Sequence, residues 1–280
     1  MALKDILVQL DASPASERRM VFASTLAAKH GAHLTGLFVV DTTTAGTMLI
    51  GDDIGAIRVI EQYREQSLAD AATVEAAFRA QATRDGIQFE WALEEGNAPD
   101  VVTHLARNAD LTILGQTDPE NTSVTANGIT MEHVLFGSGR PVLMVPYAGT
   151  LGDIGNNVLF GWTPRRESAR ALNDGLQLMT PGSRATIAAV VRSGEEAEPR
   201  GVLTEDITRH LARHGITAEG HELVAPDLDP GNVLLNTASD MNADLLVVGA
   251  YGHSRLREMV LGGVTRSLLQ QAPVPVLLSH

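Results

Sequence analysis

The sequence predicts an α/β protein built as two tandem parallel sheets. Three observations carry that prediction. Short apolar runs, such as Lys4–Leu10 and Leu245–Val248, are fit for buried parallel strands. These runs alternate with helical patterns, the order expected when crossover helices join parallel strands. And the whole pattern occurs twice along the chain.

Lys4–Leu10 is the first strand, ended by Asp11. Ser13 and Pro14 read as N-cap and first residue of a helix, since the serine oxygen accepts from a free N–H and proline has none to leave unpaired. Met20, Ala23 and Ala27 give that helix a buried stripe, and Gly31 stops it. His33–Val40 is a second strand. Asp41–Ile57, rich in Thr, Gly and Asp, reads as a loop with room for a short helix. Arg58–Arg84 is a long, charged, Ala-rich helix. Ile87–Leu93 is an alternating strand and Ala98–Arg107 a helix. Leu111–Leu114 and Pro141–Val145 are two further strands.

The second half repeats the first. Ile6–Val8 lies on Val158–Phe160, Asp11 on Thr163, Ser16 on Ser168 and Met20 on Leu172. Later, Ala109–Gly115 (ADLTILG) lies on Ala243–Gly249 (ADLLVVG), Gly128 on Gly262, and the run from Pro141 on that from Pro275. The second half has a shorter middle, and the extra Asp41–Ile57 loop is expected to account for most of the difference.

Composition removes several function classes. The chain has 280 residues and no cysteine, which excludes disulfides, thiolate metal sites and cysteine catalysis. No run of apolar residues is long enough for a transmembrane helix. The N-terminal residues show no signal-peptide pattern, and a cytoplasmic location is expected. A formal net charge of −13 and 4% aromatic residues argue against a nucleic-acid partner. Lys4 and Lys29 are the only lysines, so there is no Walker A loop.

Ala243–Leu278 is the stretch around which the chain is organised. An apolar strand is followed by Gly249 and Gly252, a polar loop with Arg255 and Arg257, and then Gly262-Gly263-Val264-Thr265 at the start of a helix. Strand, glycine loop and helix start present free backbone N–H groups to phosphate. The spacing G-x2-G-x9-G resembles the nucleotide-binding signature of the universal stress protein family, with Gly263 in place of the usual Ser or Thr. The resemblance covers nearly the whole chain and implies a tandem member. Its domains would be residues 1–147, with a degenerate nucleotide loop, and 157–280, with Ala148–Asn156 as linker. It implies two doubly wound, five-stranded parallel sheets of order 3-2-1-4-5, related by a pseudo-two-fold axis as an intramolecular pseudo-dimer. It leaves a homodimer open and names no protein partner.

The same resemblance implies an adenine nucleotide (ATP, ADP or AMP) in the C-terminal half. Thr163, Gly249, Gly252, His253, Arg255, Gly262, Gly263, Val264 and Thr265 are the candidate binding residues. Mg accompanying ATP is the one metal expected. In the first half Asp11 matches the family's adenine-side Asp, but Asp118 lies on Gly252, Ile129 on Gly263 and Met131 on Thr265. A carboxylate beside a polyphosphate is repulsive, so this half is expected not to bind ATP. Trp162 reads as core or as an adenine platform. His210 and His214, four residues apart on a helix, lack a third metal ligand and read as a solvated face. No catalytic residue is identified, and slow ATP hydrolysis is the most turnover expected. The rivals are an ATP-using enzyme of a related adenine-binding superfamily, whose SGGxDS and HIGH-type motifs are missing, and a nucleotide-free interaction protein.

Overall fold

A computed structural model describes residues 3–42, 54–118, 127–191, 201–224, 229–250 and 263–280. The chain divides into two compact units, Ala2–Val142 and Leu143–His280, with the cut inside the fifth strand.

The first half runs β1 (Asp5–Leu10), α1 (Pro14–His30), β2 (His33–Val40), α2 (Ile54–Asp85), β3 (Phe89–Glu95), α3 (Ala98–Ala106), β4 (Leu111–Gly115), α4 (Asn127–Gly137) and β5 (Val142–Val145). β2 pairs with β3 and with β1, and β1 pairs with β4, all parallel. Thr112 N donates to the carbonyl of Pro141 at 3.2 Å beside the start of β5. The second half runs β6 (Asn157–Gly161), α5 (Arg166–Leu176), β7 (Arg184–Val191), α6 (Gly201–Arg213), β8 (Thr217–Val224), α7 (Pro230–Asp240), β9 (Leu245–Gly249), α8 (Gly263–Gln271) and β10 (Val276–Ser279). Its parallel pairs are β8 with β7, β7 with β6, β6 with β9 and β9 with β10.

Local chemistry sets these elements. Ser13 Oγ accepts from Ser16 N at 3.1 Å, Pro14 follows it, and Gly31 closes α1 at φ +58, a left-handed conformation that costs glycine little. β1 and β4 are buried on both faces, as central parallel strands must be. β3 is largely exposed, since it pairs on one side only. Phe78 on α2 lies over Gly36 of β2, where a side chain would collide with its ring at 2.9 Å.

One device appears in both halves and explains why the ADL tripeptide repeats. Asp110 Oδ2 accepts from Lys4 N at 2.8 Å and Asp5 N at 3.1 Å. Asp244 takes Gly155 N, Asn156 N and Asn157 N at 2.8, 2.9 and 2.8 Å. Each carboxylate, one residue before the fourth strand of its half, collects the free N–H groups entering the first strand.

Three boundary expectations are corrected. α2 begins at Ile54, inside the stretch read as loop. β3 is Phe89–Glu95 rather than Ile87–Leu93, because Ile87 N caps α2 by donating to Ala82 O at 3.2 Å. The shorter middle of the second half comes mainly from helix length: α2 has 32 residues and α6 has 13. The Asp41–Ile57 loop is therefore not the main source; its residues 43–53 lie outside the described ones.

Candidate functional site

In sheets of this type ligands sit beyond the carboxyl ends of the strands, where strand order reverses. In the second half that place lies between β6 and β9, whose ends are in register at Gly161 and Val248. Thr163 follows β6. Its N–H donates to Ser168 Oγ at 3.3 Å, and the two hydroxyls are 3.0 Å apart. The first half has the matching turn, in which Asp11 N donates to Ser16 Oγ at 2.8 Å. A serine in the first turn of the helix thus fixes the residue after the strand in both halves.

Gly249 ends β9 against α5. A Cβ there would lie 2.5 Å from the carbonyl carbon of Glu167 and from Ser168 N, so only glycine allows this approach. Glu167 itself is buried and bonded to Arg166 Nε at 2.6 Å. Burial raises its pKa, but the Arg166 hydrogen bond and charge, a bond from its own backbone and the charge of His280 outweigh that and hold it below the usual value. His280 Nδ1 is 3.1 Å from the carbonyl of Ala250.

α8 opens at Gly263, so its first N–H groups have no partner within the helix. Beside that turn lies Asp229, the N-cap of α7. Its Oδ2 accepts from Gly231 N at 3.0 Å and from Ser267 Oγ at 2.9 Å. Its Oδ1 is 3.2 Å from where a Cβ on Gly263 would be. Thr265, expected to offer a hydroxyl, is 5% exposed. Gly252, His253, Arg255 and Gly262 lie outside the described residues. The described arrangement offers hydroxyls and backbone donors.

Two halves with the same strand pairing match one family description twice. The model of the universal stress protein family fits residues 2–146 and again 166–280. The chain belongs to the universal stress protein family. A universal stress protein of Synechocystis sp. is 22% identical over 98% of this chain and 99% of its own length. Another, of Mycolicibacterium smegmatis, is 30% identical over 40% of this chain and 79% of its own. The crystal structure of a universal stress protein from Archaeoglobus fulgidus superposes with a TM-score of 0.72 at 18% identity, covering 98% of this chain and 96% of that one. That likeness concerns the fold.

Within this universal stress protein the remaining candidates are plain. The rings of His210 and His214 meet edge to face with centroids 4.9 Å apart, and among the described residues no group of three His, Cys, Asp or Glu is set to hold a metal. The Trp162 indole N–H is buried without a hydrogen-bond partner. Among the described residues no helix is long and apolar enough to cross a membrane. Sequence reasoning missed three residues: Arg19, Asp229 and Glu167. For Arg19 a signal was present, a charged residue three positions after Ser16 and four before Ala23, on the stripe that α1 buries.

Proposed function

We propose that this protein is a regulatory binding module that holds one adenine nucleotide per chain in its C-terminal half. The observation that carries the reading is the set of polar groups gathered at the carboxyl ends of β6 and β9. Thr163 and Ser168 offer hydroxyls there, and Gly249 starts the G-x2-G-x9-G run that leads to α8. Thr163 and Ser168 would face the nucleoside. Gly249, Gly252, His253, Arg255, Gly262, Gly263, Val264 and Thr265 would wrap the phosphate end, with Mg accompanying a triphosphate. The Asp229 carboxylate beside Gly263 adds negative charge at that end and disfavours each further phosphate.

Calorimetry with ATP, ADP and AMP tests the reading. One site per chain is expected. Gly252→Asp removes a backbone contact and adds repulsion, about 2–4 kcal/mol, which is roughly a thirty- to thousand-fold loss of affinity. Two sites, or a substitution without effect, refute the single C-terminal site. Asp229 and the buried Thr265 favour the second reading, a nucleotide-free interaction protein; no binding by the wild type decides for it.

A further inference from the structure

The first half keeps a cation at the carboxyl ends of β1 and β4. Arg19 is 3% exposed. Its Nε donates to the carbonyl of Gln9 at 2.8 Å, and its Nη2 donates to Asp11 Oδ2 at 2.8 Å. A side chain on Gly115 would run into its Nη1. The guanidinium therefore spans the carboxyl ends of β1 and β4. The other Asp11 oxygen accepts from Ser13 N at 2.8 Å. Both oxygens of the carboxylate are thus engaged within the chain, one by a charge-assisted bond from the guanidinium and the other by a backbone N–H.

The second half differs at the matching positions. Ala171 lies where Arg19 does, and Thr163 where Asp11 does. With no guanidinium between them, the backbone of α5 closes directly on Gly249. Burying a guanidinium is costly unless its partners are in place, and here Gln9, Asp11 and Gly115 are all arranged around it.

We propose that Arg19 is the resident occupant of the first-half crevice and the residue that shuts that half to small molecules. Asp118 would repel a phosphate but leaves a neutral ligand unopposed. Arg19 fills the position itself, so a nucleoside is excluded as well as a nucleotide. This inference rests on the reading that the β1–β4 and β6–β9 junctions are the ligand positions.

The test uses the full chain carrying Arg19→Ala, with folding checked by circular dichroism and a thermal melt. The probes are ethylguanidinium and adenosine, titrated by calorimetry. Arg19→Ala should bind one ethylguanidinium that wild type does not, with a raised melting midpoint. Adding Asp11→Asn should weaken that binding at least ten-fold. Adenosine stoichiometry should rise by one over whatever the wild type binds. A wild type that binds no nucleotide sinks the proposed function but leaves this gain measurable. A folded Arg19→Ala that gains neither probe overturns the inference, as does a gain of ethylguanidinium without adenosine. Should Arg19→Ala not fold, Arg19→Met keeps much of the bulk without the charge. In that variant the Asp11 carboxyl, followed by carbon NMR, should titrate higher than in wild type, and adenosine, still shut out by the remaining bulk, should gain no site. An unchanged titration, or an adenosine site gained despite that bulk, overturns the inference.

Discussion

At the first turn of α8 the chemistry is set by Asp229 as much as by Gly263. A Ser or Thr at 263 would press its Cβ against Asp229 Oδ1, so the glycine and the carboxylate go together. Asp229→Asn keeps an N-cap for α7 and removes one charge. ATP affinity should rise by about five-fold, roughly 1 kcal/mol, with a smaller gain for AMP and none for adenosine. Equal changes across that series would show that charge is not the cause. A second residue-scale prediction concerns acid. Burial raises the Asp11 pKa, but the Arg19 charge and the hydrogen bonds from Ser13 and Arg19 hold it below the ordinary carboxylate value. A depressed folded pKa stabilises above the unfolded value, near 3.9, and that stabilisation fades as pH falls through the folded one. Breaking the buried pair with Arg19→Met should cost about 3–5 kcal/mol at pH 7, and the gap should narrow below about pH 4. Urea unfolding at both pH values checks it; a constant gap refutes it. The sequence marked Asp11 as the family's adenine-side residue. That both its oxygens are taken depended on the rotamer of Arg19, which no spacing reveals.

Among the elements, single glycines set how closely helix and sheet approach. Gly249→Ala must push α5 away from β9, and about 1–3 kcal/mol of stability should be lost. Gly152, with nothing within 4 Å of a Cβ, is the control, and its Ala variant should stay within about 0.5 kcal/mol of wild type in thermal melts. An equal loss at both positions would mean that backbone freedom, not packing, is the cost. α1 and β2 were legible almost to the residue, because Ser13-Pro14 and Gly31 punctuate the chain. α2 was not. Its first turn lies in a Gly- and Asp-rich stretch with weak helix propensity, yet the helix runs back through it to Ile54. The contact of α7 with α8 through Asp229 and Ser267 joins residues 38 apart and leaves only the local Asp-Pro cap to read.

For the molecule as a whole, the offset repeat was the strongest signal, and the family model likewise matches twice, over residues 2–146 and 166–280. What the repeat could not tell is which half is filled from within, since Arg19 against Ala171 is one difference among many. The net charge of −13 spreads over a chain with two lysines. At physiological salt no DNA or RNA should be retained in a gel shift, and sub-micromolar retention would refute this.

The aspartate clips also bear on how the chain is made. Lys4 N meets Asp110 across 106 residues, and Gly155 N meets Asp244 across 89. At a ribosome adding about 5–20 residues per second, β1 waits roughly 5–20 s for the strand that completes it. Ile6 and Val8, buried in the finished protein, spend that interval without β4 beside them. The long α2 lengthens the wait, so the N-terminal half is the longer exposed to wrong partners during synthesis, and the one in which chaperones have most to shield.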